Sequence, residues 1–166
     1  MNGASNILLE FVLLTEELAH AVAPWFDDAD TIRYLGTRDW LYRELKLMQT
    51  APGSAFKGRR VLARYVWIIQ DQYGQPCGLV DIEPYDDGTA GMAFVVAPDR
   101  RGQGLGQHIL HLLETRPEIQ EIQAIVGGVE PENISARRCL ERSGYTFLSA
   151  PDEEGFLRFH KRPLSP

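Results

Sequence analysis

The sequence predicts one α/β domain of the α+β layered kind, spanning residues 1–166. Its centre is the stretch Thr89–Thr115, where a strand, a Pro-Asp turn, a glycine-rich loop and an amphipathic helix follow one another. Two strand candidates stand before it, Arg60–Gln70 and Gly78–Glu83, and with its own strand Thr89–Val96 they make three in a row, with short polar turns between them. That is the pattern of an antiparallel meander. After it, strand and helix candidates alternate, as they do when helices are layered on a sheet. A chain of 166 residues is long enough to bury a sizeable core.

Each element has a local reason. Ile7–Leu14 is apolar and reads as the first strand. Thr15 offers an N-cap oxygen, and Glu16 and Glu17 stand in the first turn, where the helix dipole favours them. That helix runs to Ala23, before Pro24. Trp25–Asp30 reads as a loop, and a short helix is expected over Thr31–Leu35, ended by Gly36. Thr37 then caps a helix whose apolar stripe is Trp40, Leu41, Leu45 and Met48. Thr50–Gly58, with Pro52, Gly53 and Gly58, reads as a loop. Arg60–Gln70 is rich in the Val, Ile, Tyr and Trp that pleated sheets favour. In the central stretch Gly91 and Pro98 bound the strand, and Leu105, Ile109, Leu112 and Leu113 recur at helical spacing. Ile122–Val129 is the next strand, Asn133 opens a helix with Ala136, Cys139, Leu140 and Ser143 on one face, and Tyr145–Leu148 and Phe156–Lys161 close the chain as strands.

Composition excludes several classes. Lys and Arg number 17 against 23 Asp and Glu, a net charge of −6 that argues against a nucleic-acid or anionic-membrane partner. No apolar run reaches membrane-spanning length. The N-terminal run lacks a basic segment, and Glu10 interrupts its apolar part, so no signal peptide is expected. Cys77 and Cys139 lie far apart and form no metal pattern, which fits two reduced thiols in a cytoplasmic protein. His108 and His111 stand three apart on the helix after the glycine loop, but no third ligand has suitable spacing; no metal is expected.

The central stretch carries chemistry. Glycines between a strand end and a helix start let bare backbone approach a ligand. The first helical N–H groups have no partner within the helix, and the dipole there favours an anion. Gly102, Gln103, Gly104, Leu105 and Gly106 thus make a phosphate cradle, with Arg100 and Arg101 beside it. A Walker loop would need Gly-Lys-Ser/Thr where Gly106-Gln107-His108 stands, and the dinucleotide spacing G-x-G-x-x-G is absent, which disfavours a nucleotide-binding module. What is present is Arg101-x-x-Gly104-x-Gly106 directly after Val95-Val96-Ala97-Pro98. This resembles the pyrophosphate-binding motif of the GNAT superfamily of acyl-CoA-dependent N-acetyltransferases, (Gln/Arg)-x-x-Gly-x-(Gly/Ala). A second segment resembles the same family: Val129-Glu-Pro-Glu-Asn133-Ile-Ser-Ala136, then Gly144-Tyr145 eleven residues after the Asn. Together the two motifs span Thr89 to about Leu148.

The resemblance implies a mixed, curved, mostly antiparallel central sheet flanked by helices, and acetyl-CoA as co-substrate. It implies that the pantetheine arm pairs with the backbone of Phe94, Val95 and Val96, with the N–H near Val96 close to the thioester oxygen. Gly102 to Gly106 would bind pyrophosphate, with Arg101 in the motif's first position. Asn133 would touch the pantetheine arm, cap its helix, or both. Arg137 and Arg138 would meet the 3′-phosphate or form a solvated face with Glu132 or Glu141.

Two positions depart from the family. The Tyr usual seven residues after the motif Asn is Leu140, and the Glu usual seven residues before the motif Pro is Gly91. An aliphatic amine, with a pKa of about 10.4 like lysine's, must still lose a proton before it attacks. Asp81 and Glu83 alternate with Val80 and Ile82, so they share one strand face; they are either a base acting through water or a solvated face. Tyr145 is a weaker acid candidate. For the acceptor, the resemblance points to the early helices and late strands, where Trp25, Asp27, Asp28 and Tyr34 would give an aromatic, acidic rim suited to an ammonium group. The expected activity is acetyl transfer from acetyl-CoA to a primary amine of a small molecule or a peptide N-terminus. The rival, motivated by Leu140 and Gly91, is an acyl-CoA-binding sensor or scaffold without catalysis. The oligomeric state stays open, a homodimer included.

Overall fold

The computed structural model describes residues 7–163. The part of the N-terminal reading that falls on residues 1–6 lies outside the described residues. The chain runs β1 (Glu10–Leu13), α1 (Glu16–Val22), α2 (Ala29–Tyr34), α3 (Asp39–Thr50), β2 (Ala55–Phe56), β3 (Arg59–Arg60), β4 (Tyr65–Gln70), β5 (Pro76–Pro84), β6 (Thr89–Val96), α4 (Leu105–Leu113), β7 (Ala124–Val129), α5 (Ile134–Arg142), β8 (Thr146–Phe147) and β9 (Leu157–Lys161). A seven-stranded sheet has the order β1-β4-β5-β6-β7-β9-β8, and β2-β3 is a separate hairpin. Among the described residues, only the β6–β7 pair in the main sheet is parallel. The mixed, mostly antiparallel layered architecture expected from the sequence is therefore present.

Side chains alternate across the sheet, so each strand feeds two cores. Val80, Ile82 and Met92 pack against Leu105, Ile109, Leu110 and Leu113 of α4. Val66, Ile68 and Leu79 pack on the other face against Ala19 and Val22 of α1 and Trp40 and Leu41 of α3. Each fully buried aliphatic side chain of α4 contributes about 1.5–3 kcal/mol. That packing clamps α4 to the sheet and fixes the glycine loop in front of it.

Local signals hold where they were strongest. Thr15 Oγ1 accepts from the Leu18 N–H at 3.1 Å, and Asn133 Oδ1 from the Ala136 N–H at 3.3 Å. Elsewhere the structure differs. Ala23–Asp27, expected as helix end and loop, forms a 3-10 helix that Pro24 opens, and Asp28 caps α2 by accepting from the Thr31 N–H. Thr37 does not cap α3, which starts at Asp39 without a side-chain cap. The loop Thr50–Gly58 contains strand β2, and its hairpin turns through Lys57 (φ 49°) and Gly58 (φ 78°), the left-handed pair that a two-residue turn demands. The strand expected from Arg60 pairs in the main sheet only from Tyr65. Arg59 and Arg60 pair with β2 instead, and Val61 makes only an isolated bridge to Tyr85.

Gly127 of β7 sits where the sheet is tightest. A Cβ there would lie 2.3 Å from the Phe159 ring and 2.9 Å from the Met92 carbonyl oxygen. Gly127→Ala is therefore expected to cost about 1–3 kcal/mol through overpacking. Urea unfolding should show a lower midpoint with an unchanged slope.

Candidate active site

The site begins where two strands part. β6 and β7 pair only from Thr89↔Ala124 to Gly91↔Val126. β5 continues along the other edge of β6 as far as Val96, and β9 holds β7 as far as Val129. Between them, the β7-facing edge of Met92–Val96 has no strand partner among the described residues. Unpaired backbone groups seek hydrogen bonds. A cleft of about 640 Å³ opens at this split, between Phe94–Val96, Gly128, Val129, the glycine loop and α5.

The glycine loop closes one end. Gly102 and Gly104 both have φ near 76°, which favours glycine, and left-handed Gly104 caps α4 with no side-chain hydrogen bond. The first-turn N–H groups of α4 are thus left without side-chain competition at the cleft. A Cβ on Gly106 would stand 2.8 Å from Cys139 Sγ and 3.4 Å from Val96 Cγ2, so glycine lets α4 nest between β6 and α5. Arg101 bonds Asp28 Oδ2 and Thr31 Oγ1, each at 2.9 Å, which ties α2 to the loop. The Arg101 hydrogen bond holds the Asp28 carboxyl below its usual range. Arg100 pairs with Asp71 at 2.9 Å. Such a cleft suits an extended ligand with amide groups along its length and an anionic end.

Phe94, Val95, Val96, Arg101, Gly102, Gly104, Leu105, Gly106 and Asn133 come together in this cleft. Gln103 and Arg137 are not among its lining; Arg137 donates to the Pro131 carbonyl at 2.8 Å, while Arg138 faces the cleft. Gly128 and Cys139 also line it and were not anticipated. The signal for Gly128 was there, because a glycine pair inside a strand marks close backbone approach. Leu140 is buried at the cleft wall. Buried Tyr145 meets Phe159 edge-on and donates to Met92 Sδ at 3.9 Å, and burial pushes its hydroxyl up in pKa.

A second hollow, of about 630 Å³, lies on the α3 side of the sheet. Leu47, Ala51, Phe56 and Val61 line it, with Asp81, Glu83, Tyr85, Gly91 and Gly127. Met92 and Ala93 line both hollows. Asp81 and Glu83 share a face as the alternation predicts, yet that face is not solvated: each is only 7% exposed. Arg64 lies among them, with Nη2 2.7 Å from Asp81 and 2.6 Å from Glu44 of α3, and Nη1 bonded to Glu83. Three carboxylates thus face one guanidinium. Burial, reinforced by the nearby Glu44 charge, pushes the Asp81 carboxyl well above the usual carboxylate range against the pull of Arg64. Burial opposes the Arg64 charge, and attraction to Asp81 and Glu44 overcomes it. Tyr85 Oη donates to Glu83 Oε1 at 2.8 Å.

The expected acidic, aromatic rim is not assembled around this hollow. Trp25 packs on the α1–α3 core, and Asp27 pairs with Arg38. Asp28 caps α2 and binds Arg101, while Tyr34 lines the first cleft. Among the described residues, no three or more His, Cys, Asp or Glu side chains are placed to hold a metal ion. No helix there is long and apolar enough to cross a membrane.

A profile of the acetyltransferase (GNAT) family matches residues 19–145. No curated protein sequence matches the chain. Among solved structures, the fold is similar to an aminoglycoside acetyltransferase in complex with coenzyme A, at 19% identity and a TM-score of 0.72, covering 93% of this chain and 95% of that one. It is similar to spermidine N-acetyltransferase from Vibrio cholerae in complex with CoA and spermine, at 16% identity and a TM-score of 0.73, with the same coverage of 93% and 95%. A domain from Methanocaldococcus jannaschii superposes with a TM-score of 0.72 at 11% identity, covering 95% of this chain and 99% of that one.

Proposed function

The chain belongs to the acetyltransferase (GNAT) family, and from that premise we propose that it moves an acetyl group from acetyl-CoA to a primary amine of a small molecule or a peptide N-terminus, by direct attack in a ternary complex. The observation that carries this reading is the bare edge of Met92–Val96 sharing one cleft with the glycine-loop end of α4. That edge offers main-chain partners to the pantetheine amides. The N–H groups from Gly102 to Gly106 meet the pyrophosphate where the dipole of α4 favours it. Asn133 spends Oδ1 on the Ala136 N–H, which leaves its Nδ2 for the arm. Arg138 faces the same cleft and suits the 3′-phosphate.

The amine enters through the second hollow, because Met92 and Ala93 form a wall common to both. The excess negative charge around Arg64 draws an ammonium group toward that wall. Asp81 and Glu83 are the groups at hand to take its proton. The free nitrogen then attacks the thioester carbonyl, the C–N bond forms, and the C–S bond breaks. Backbone donors near Val96 stabilise the developing oxyanion. Leu140 supplies no proton to the departing sulfur. A thiol-like pKa of about 8.5 makes a thiolate a tolerable leaving group, so proximity of the two substrates carries much of the rate.

The test is thiol release from acetyl-CoA in the presence of polyamines, aminoglycosides, amino acids and short peptides. Release above the amine-free background by at least one of them is the expected result. Tight acetyl-CoA binding with no release on any amine would overturn the catalytic reading.

A further inference from the structure

We propose that Tyr85, backed by Glu83, is the proton-accepting contact for the amine and takes the place of a carboxylate side chain at Gly91, with Arg64 as a positioning residue for Glu83. The inference rests on the acetyl-transfer reading above. Its origin is a gap. Glu83 of β5 stands opposite Gly91 of β6. A Cβ built on Gly91 would meet Tyr85 Oη at 3.1 Å, Cε2 at 3.6 Å and Cζ at 3.8 Å. The phenol therefore occupies the room that a side chain at position 91 would need, next to the Met92–Ala93 wall that the two hollows share.

The hydrogen bonds orient it for the task. Tyr85 Oη gives its proton to Glu83 Oε1 at 2.8 Å, so its lone pairs are free to accept from an incoming N–H. The other Glu83 oxygen is held by Arg64. The ring is fixed by Phe56 of β2, stacked at 6.0 Å, and by the Arg59 guanidinium of β3, 4.0 Å above its centroid. Arg59 is itself tied to Thr89 at 3.0 Å and lies 3.9 Å from Asp87. Facing Glu83 are Arg64, Asp81 of its own strand and Glu44 of α3.

The step balances without a further reagent. The ammonium N–H bond breaks toward Tyr85 Oη as the Tyr85 O–H bond breaks toward Glu83 Oε1. The tyrosine stays neutral and Glu83 becomes a carboxylic acid. The amine gains the lone pair that forms the C–N bond; as the C–S bond breaks, the nitrogen gives its second proton to the departing thiolate, and Glu83 returns the first proton to water. A cluster of three carboxylates around one guanidinium gains by accepting a proton, since that relieves repulsion. Glu83 is the acceptor because its Oε1, not an oxygen of Asp81, holds the Tyr85 hydroxyl.

Tyr85→Phe keeps the ring and its packing and removes only the hydroxyl. The expected result is a fall in kcat/KM of about 100-fold, the lower range for a lost general base, with acetyl-CoA affinity unchanged by calorimetry. The rising limb of the pH–rate profile should move toward the pKa of the amine itself. Glu83→Gln should show the same alkaline displacement. Wild-type rates and profile in Tyr85→Phe overturn the proposal, as does a loss of rate in both variants with the limb unmoved, which marks a structural role. Wild-type protein that turns over no amine would instead count against the acetyl-transfer reading.

Discussion

Replacing Arg64 by leucine should destabilise the fold by about 3–5 kcal/mol at neutral pH, the range for leaving buried charges without their partner. Arg64 has a side chain only 14% exposed, and it faces Glu44 and Glu83, with side chains 2% and 9% exposed, and Asp81 at 10%. The loss is pH-dependent in a definite direction. The folded-state pKa of Asp81 is raised above its unfolded value. Its contribution is therefore fully present below the unfolded pKa and is lost as pH rises through the folded one. Without Arg64 nothing offsets the repulsion among the three carboxylates as they ionise, so the stability gap between variant and wild type should widen from pH 5 to pH 8. Urea titrations at the two pH values read it directly. A gap that stays constant or shrinks toward pH 8 would mean that the cluster is not held against charge repulsion.

A buried ion cluster is weak evidence of stabilisation, because well-packed apolar groups often serve as well. Arg64, Asp81 and Glu83 of this one line the second hollow, beside Tyr85 and Gly91. Its position makes better sense as proton handling than as a structural brace.

The contrast between the two hollows also explains what the sequence could disclose. The first cleft is built from consecutive residues: a strand, three glycines and the helix they introduce. Local spacing alone places Gly102 and Gly104 between β6 and α4, and Gly106 in the first turn of α4. Asn133 was legible for the same reason, as a cap at the start of α5. The second hollow depends on contacts that spacing does not encode. Arg64 stands in a run that reads as a continuous strand, and Glu44 stands among the apolar residues of α3; nothing local says that they meet. Tyr85 reads as the start of a turn, and only the β5–β6 register brings its hydroxyl against Gly91. The alternation of Asp81 and Glu83 gave their common face but not their burial, because the covering helix α3 is distant in sequence. Trp25, Asp27, Asp28 and Tyr34 looked like one rim because they are neighbours in the chain. A 3-10 helix followed directly by α2 turns them in different directions.

The strongest test of the first cleft is Gly104→Val, which is expected to weaken acetyl-CoA binding about 100-fold, or roughly 2.7 kcal/mol. Two effects combine. Gly104 has φ 76° and ψ 8°, a left-handed conformation that costs an L-residue about 1–2 kcal/mol and a β-branched one more. Relief of that strain rotates the N–H groups that open α4 away from the cleft. A Cβ there also meets no protein atom within 4 Å, so the new side chain projects into the space the ligand needs rather than into the core. Fold stability should fall only by the backbone cost. Gly155→Val separates the two effects: Gly155 has φ 90° and equally open surroundings, but it lies in the loop before β9. It should lose similar stability and keep wild-type acetyl-CoA affinity. If Gly104→Val binds acetyl-CoA as the wild type does, the cradle at the start of α4 is not where the pyrophosphate sits.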